Sequence, residues 1–245
     1  MWPYPKIVAH RGGGTLAPEN TIAAMQRGMD HGFRAVEFDV MLSQDGVPML
    51  MHDARLGRTV KGSGSIADFT AQELGRMDAG SWFGLAFAGE PPPTYLQVLQ
   101  FCTQNRIWMN VEIKPVPGFE VATGRAVALL TQTFFEQKIG VLPLFSSFSF
   151  EALRAAQAAA PAIARGYLLD TVPADWQERL RELDAVALHT NHKHLTAAQT
   201  TKIKDAGFGV FCYTVNDAVR AREILSWGVD GFCTDRIDLI GPAFS

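Results

Sequence analysis

The sequence predicts an α/β chain folded as a TIM (β/α)8 barrel, and three observations lead there. Its 245 residues match one barrel of ordinary size, as well as two average domains. Short β-rich runs alternate along the chain with amphipathic helical stretches, the order that builds parallel sheet with crossover helices. Eight such strand–helix units in one mid-sized chain favour a closed ring over an open sheet.

The elements follow in order. IVAH at 7–10 is the first strand, and RGGG after it is the first turn. A helix is expected over 20–31 and a strand over 36–43. SQDG then separates that strand from a second apolar run at 47–52. A parallel crossover needs a dozen or more residues, so these two runs must pair antiparallel as a β-hairpin that extends the second strand. Taking Asp45 and Gly46 as a two-residue turn sets Leu42 opposite Met49, Val40 opposite Met51 and Asp39 opposite His52. Residues 54–94, with KGSGS and EPPP, are too long for an ordinary connection and read as a lid or small inserted subdomain. Trp82 and Phe83 belong either to its core or to a substrate wall. The remaining strands are expected at 108–114, 144–147, 164–168, 185–189, 210–215 and 231–234. Helices are expected at 95–104, 118–135, 150–159, 174–183, 197–206 and 217–227. Ser149 and Asn216 are placed as N-caps, Asn20 as an N-cap or a support behind the site, and Gly207 and Gly228 at helix ends. The whole of 1–245 is expected to be a single catalytic barrel domain.

Composition narrows the function. A hydrophobic fraction of 47% with 19% charged residues suits a soluble enzyme with a large core. The net charge of -3 argues against bulk nucleic-acid binding. Three cysteines, Cys102, Cys212 and Cys233, have no metal-type spacing and suit a reducing compartment. No secretory leader and no apolar run of about 18 residues is evident, so no membrane span and a cytoplasmic location are expected.

Chemistry concentrates at one end of the expected barrel. Glu37 and Asp39 alternate with apolar residues on the second strand, and the hairpin returns His52 to them. In WMNVEIKP, Asn110, Glu112 and Lys114 alternate in the same way, while AHRGGG puts His10 and Arg11 at the same mouth. Barrel enzymes carry their sites at that C-terminal mouth. Three crowded carboxylates repel unless a cation sits among them, and oxygen-only ligation selects a hard ion, Ca²⁺ or Mg²⁺. With Arg11, Lys114 and one divalent ion the site sums to about +1, which suits a phosphodiester monoanion. Two histidines flanking the phosphate can divide general acid and base between them.

These motifs resemble a known family. HRGG and APENT within 10–21, EFDV, DG and HD within 37–53, and EIKP at 112–115 match the glycerophosphodiester phosphodiesterase pattern in order and spacing. SSF at 146–148, YTVN at 213–216 and GVDGFCTD at 228–235 also fit. With NHK at 191–193, the chain is most similar to the family's cytosolic bacterial branch encoded with glycerol-phosphate uptake systems. The resemblance implies a TIM barrel that uses a divalent cation to hydrolyse glycerophosphodiesters to sn-glycerol 3-phosphate and an alcohol. It implies His10 and His52 as the catalytic pair and Glu37, Asp39 and Glu112 as metal ligands. Arg11, Lys114 and Tyr213 are implied as substrate-binding residues, Tyr213 standing where many members have Trp.

Other polar residues are read one by one. Gly12–Gly14 form a turn or let the backbone approach a ligand. Glu19 either caps the first helix or orients Arg11, and Asp53 supports from behind the site or belongs to a loop. His189 and Asn191 are candidates to line the pocket, with His192 and His194 as solvated loop residues. A metal-independent lyase is disfavoured by the three acids, and a silent phosphate-binding barrel by the presence of every motif residue. Which histidine is the acid, whether water or the glycerol 2-hydroxyl attacks, and the oligomeric state are left open.

Overall fold

Strands buried on both faces read as nearly continuous apolar runs, and Ala35–Leu42 is buried at every position. In the computed structural model of the chain, which describes residues 2–136 and 140–245, such strands close into a ring. The strands are β1 (Ile7–Ala9), β2 (Ala35–Leu42), β3 (Pro48–Leu50), β4 (Trp108–Ile113), β5 (Leu144–Ser147), β6 (Arg165–Leu169), β7 (Ala187–Asn191), β8 (Gly209–Tyr213) and β9 (Gly231–Thr234). The order β1-β9-β8-β7-β6-β5-β4-β2, closed by β1 on β2, is an eight-stranded parallel barrel, and β3 pairs outside it antiparallel to β2.

The helices are α1 (Ile22–Asp30), α2 (Ala71–Leu74), α3 (Tyr95–Gln104), α4 (Glu120–Glu136), α5 (Phe150–Ala159), α6 (Trp176–Glu182), α7 (Ala197–Asp205) and α8 (Ala218–Ser226). The main core lies between the strands' outer faces and these helices. Ser149 caps α5 as expected. Asn20 and Asn216 do not cap; Thr21 and Asp217 take those places, accepting from the N–H of Ala24 and Arg220. No helix follows β9 among the described residues, and Ile237 and Ile240 of the tail join the core instead. No helix among the described residues is long and apolar enough to cross a membrane.

Two features make the C-terminal mouth the open end. At the opposite end, Trp2 stacks on Phe211 at 5.9 Å and Tyr4 on Trp108 at 4.8 Å, plugging the barrel with aromatic rings. At the mouth, the hairpin rises above the ring. Its Met41, Met49 and Met51 are covered by Leu56, Val60, Ile66 and Leu74 from the segment after β3. In that segment Trp82 and Phe83 pack edge to face at 5.7 Å, with Phe87 on Phe83 at 5.4 Å, and none of the three lines the pocket at the mouth.

The hairpin register is one residue off the expected one. Val40 pairs with Leu50, Met41 with Met49 and Leu42 with Pro48. The turn is a three-residue loop, 44–46, in which Gly46 N–H donates to Ser43 O and Ser43 N–H to Val47 O. The Ser43 hydroxyl also accepts from Val47 N–H and donates to Asp45 Oδ1, which favours this longer turn. Asp39 therefore faces Met51, whose N–H reaches its carbonyl at 3.3 Å. A slip of one residue would turn His52 to the other face of a continuing strand. The strand ends at Leu50, however, so the pleat no longer sets the direction of His52.

Candidate active site

The eight residues singled out from sequence, His10, Arg11, Glu37, Asp39, His52, Glu112, Lys114 and Tyr213, all line one pocket of about 240 Å³ at the mouth. Strand register explains the convergence. Glu37 pairs with Asn110 and Asp39 with Glu112 across β2 and β4, so the acids stand side by side facing the barrel axis. One carboxylate oxygen from each of Glu37, Asp39 and Glu112 lies within 4.8 Å of the others.

The electrostatics of the three differ. Burial pushes the Glu37 carboxyl up to about 7, with repulsion from Asp39 adding to it. Burial, followed by Asp39, pushes Glu112 well up, and its Oε1 is buried without a hydrogen-bond partner. Burial also acts on Asp39, but Lys114, 3.1 Å away, and Arg11 more than offset it and hold the carboxyl below its usual range. Three ionised acids this close need a positive charge among them, and an orphaned carboxylate oxygen points to where it would sit. An all-oxygen donor set fits a hard divalent ion.

The loop after β1 is built to serve these acids. Arg11 sits at φ +50°, a left-handed conformation unfavourable by about 1–2 kcal/mol for a residue with a side chain. The strain turns its N–H toward Glu37 Oε2, 3.1 Å away. Asn20, at φ +59°, clasps Asp39 from both sides, donating to Oδ2 at 2.8 Å and accepting its N–H at 3.2 Å. The glycines between them serve packing rather than a ligand: a Cβ on Gly14 would run into the Asp235 carbonyl, and Gly12 abuts Met25.

Each histidine is backed by a carboxylate. His10 Nδ1 lies 2.5 Å from Asp235 Oδ1, with its Nε2 3.7 Å from Glu37. Asp235 is held by Asn216, whose amide donates to Oδ2 at 2.8 Å. Burial would lower the His10 imidazole, but the Asp235 hydrogen bond and the charges of Glu37 and Asp235 outweigh it, and the net shift is upward. His52 Nδ1 meets Asp53 Oδ1 at 2.7 Å. Burial dominates there, Arg11 and Lys114 add to it, and despite Asp39 the ring is shifted down.

A chain of alternating charges ties the two sides together. Arg58, from the segment after β3, donates through Nε to Asp53 at 2.6 Å and through both terminal nitrogens to Glu19 at 2.7 Å. Glu19 accepts in turn from Arg11 at 2.7 Å. Arg58 thus fixes His52 through Asp53, and Arg11 through Glu19, without lining the pocket itself. Arg58→Met is expected to lower kcat/KM by about 10–100-fold, as for other partners one shell behind a site. Its melting temperature should stay near the wild-type value, because the residue is half exposed. A full-activity variant would show that the bridge does not position the site.

Two residues absent from the sequence-level site, Asp235 and Asn216, complete the picture, and one of the two pocket candidates on β7 is placed. Asp235 and Asn216 lie in the GVDGFCTD and YTVN motifs, but the motif alone gives Asp235 no role and Asn216 reads as a helix cap. His189 lines the pocket, whereas Asn191, whose amide donates to Asp170 at 3.0 Å, and His192 and His194 stay outside it. Tyr213 lines the mouth, its hydroxyl donating to Leu169 O at 3.2 Å and its ring edge-on to Phe148 at 5.6 Å.

Comparison with known proteins gives the family and the fold. The glycerophosphoryl diester phosphodiesterase family profile matches residues 10–239. The chain is 33% identical over 234 residues to a glycerophosphodiester phosphodiesterase of Caldanaerobacter subterraneus, covering 94% of this chain and 93% of that one. Its fold superposes, with a TM-score of 0.92 and 38% identity over 98% of this chain and 97% of the other, on an Oleispira antarctica phosphodiesterase solved with the product sn-glycerol-3-phosphate. A glycerophosphodiester phosphodiesterase from Agrobacterium tumefaciens follows at 0.78 and 28%, covering 96% and 98%. With the family profile spanning nearly the whole length and both histidines set over a three-acid cluster, the chain belongs to the glycerophosphoryl diester phosphodiesterase family.

Proposed function

We propose that residues 1–245 act as one metal-dependent unit that hydrolyses glycerophosphodiesters to sn-glycerol 3-phosphate and an alcohol. The observation that carries this reading is the cluster of Glu37, Asp39 and Glu112 within 4.8 Å, facing two carboxylate-backed histidines. Glu37, Asp39 and Glu112 would hold one divalent cation, Ca²⁺ or Mg²⁺. Such an ion stabilises charge on phosphoryl oxygens and helps to position an attacking oxygen.

The chain's own groups do the rest. Arg11, whose Nε has no hydrogen-bond partner, and Lys114 bind the phosphate. His52, shifted toward the neutral ring by burial and then by Arg11 and Lys114, takes the proton from the attacking oxygen. His10, shifted toward the imidazolium by the Asp235 hydrogen bond and the charges of Glu37 and Asp235 against burial, gives one to the leaving alcohol, since environments that push two pKa values apart assign acid and base. Tyr213 and Phe148 wall the mouth. The supporting test is hydrolysis of a glycerophosphodiester panel with and without a chelator, where full activity after exhaustive chelation would refute the metal.

The leaving alcohol meets an open mouth with few charged partners. Glycerophosphocholine, glycerophosphoethanolamine and glycerophosphoglycerol are therefore expected to be cleaved with kcat/KM values within about a hundredfold, because modest pocket contacts discriminate by about 1–3 kcal/mol. Activity confined to one headgroup would reveal an alcohol pocket instead. The reading includes a cytoplasmic location: Cys102, Cys212 and Cys233 are all buried free thiols, as suits a reducing compartment.

A further inference from the structure

A second cavity, of about 410 Å³, lies beside the aromatic plug at the end of the barrel opposite the acids. Tyr4, Ile107, Trp108, Met109 and Phe135 give it apolar walls, and none of them lines the pocket at the mouth. Two polar side chains in its lining are unpaired. Trp108 is 7% exposed, and its indole Nε1, which can only donate, has no hydrogen-bond partner. The Thr103 hydroxyl is buried without a partner as well. Leaving such atoms unpaired is unfavourable, so packing alone does not account for both of them beside a cavity.

Arg106 is a third donor in the lining, and it stands where glycine is usual. It follows Asn105, the C-cap of α3, and takes φ +55°. Its N–H donates to Thr103 O at 3.2 Å, and that of Ile107 to Cys102 O at 2.8 Å. A Cβ is crowded in this left-handed conformation. At the same position α1, α7 and α8 have Gly32, Gly207 and Gly228. α6 has Asp184 instead, whose carboxylate holds Arg165 at 3.0 Å. Arg106 bears the same strain, but its exposed guanidinium pairs with no group among the described residues. What it does instead is line the cavity.

An apolar cavity with one guanidinium and two neutral donors complements an apolar chain with an anionic head. The guanidinium fork matches a carboxylate. No second cation lines the cavity among the described residues, so a phosphate dianion would be left partly uncompensated. A cavity of about 150 Å³ takes up one benzene, so this one has room for a chain of about eight to twelve carbons. We propose that the cavity binds a medium-chain alkyl carboxylate, its head on Arg106 and its chain along Tyr4, Trp108 and Phe135. The site is separate from the mouth and does not depend on the reaction carried out there.

The test is calorimetric titration of the full chain with octanoate, 1-octanol and octylammonium. Octanoate should bind at one per chain and raise the melting temperature, as a ligand of the folded state does. Octanol and octylammonium should bind at least about tenfold more weakly, because they lack the charge-assisted bonds to Arg106. Arg106→Gly should weaken octanoate at least about tenfold and leave octanol within about threefold. Glycine suits φ +55°, so this variant should fold and melt close to the wild type. Trp108→Phe keeps the ring and removes the donor, and it should weaken octanoate about threefold or more. Excess sn-glycerol 3-phosphate should leave the octanoate affinity unchanged. Absence of saturable octanoate binding overturns the proposal, as does equal binding of octanol or octylammonium. An affinity indifferent to Arg106→Gly also overturns it, and competition by sn-glycerol 3-phosphate would move octanoate to the mouth and do the same.

Discussion

Glu37→Gln is expected to lower kcat/KM on glycerophosphocholine by about a thousandfold or more, and to weaken divalent-metal binding measured by calorimetry in parallel. The size follows from the several kcal/mol of charge stabilisation that a bound cation supplies to a phosphoryl group, at about 1.4 kcal/mol per tenfold. The amide keeps the shape of the carboxylate and can still accept the Arg11 N–H that Glu37 Oε2 receives at 3.1 Å. The fold should therefore survive, and the metal-free variant should be the more stable one at neutral pH. The sign follows from Glu37's raised pKa, about 7 against an ordinary 4.5. The folded state binds that proton more tightly than the unfolded state, so metal-free stability is lost as pH rises from about 4.5 through about 7. Calorimetric melting of the metal-free wild type should fall across that window. Glu37→Gln should flatten the fall, and added metal should reverse it. A variant with wild-type metal affinity and turnover would remove Glu37 from the ligand set.

The barrel was legible because its strands are short and buried on both faces. β5 and β9 begin and end at the residues expected from the sequence, 144–147 and 231–234. The acids were legible for the opposite reason: Glu37, Asp39 and Glu112 interrupt such runs at period two, which fixes them on one face. What failed was local hydrogen-bond competition. Asp45-Gly46 reads as a two-residue turn, but the Ser43 hydroxyl stabilises a three-residue one, and the register moves by one. Asn20 and Asn216 look like helix caps. Thr21 and Asp217 do that work, which frees both amides to hold Asp39 and Asp235. A cap and a clasp use the same residue type, and only the fold shows which oxygen lies within reach. His52 reaches the site although its predicted strand partner was wrong, because Asp53 and Arg58 orient it from outside the sheet.

His10→Ala and His52→Ala should differ in how their losses depend on the leaving group. Diester cleavage needs a proton taken from the attacking oxygen and one given to the departing oxygen, on opposite sides of an in-line transfer. His10 hydrogen-bonds Asp235 and faces Glu37, surroundings that favour the imidazolium. His52, half-buried and facing Arg11 and Lys114, is favoured as the neutral ring. On glycerophosphocholine each variant should lose about 10²–10⁴-fold in kcat/KM, measured with metal saturating. A p-nitrophenyl ester of glycerol 3-phosphate needs little protonation on departure, so His10→Ala should lose much less on it, while His52→Ala should lose about as much as before. The two directions of shift also fix the pH profile. The working form of His52 disappears as pH falls through its pKa, below 6.5, and that of His10 as pH rises through its own, above 6.5. The wild-type profile of kcat/KM should be a bell whose plateau straddles that value, and His10→Ala on the activated ester should keep the acid limb and lose the alkaline one. Equal losses on both esters for both variants would mean that the histidines hold the substrate or the metal's ligands in place rather than move protons. The reverse pattern, with His52→Ala rescued by the activated ester, would exchange the two roles and make Asp235 the group that orients a base.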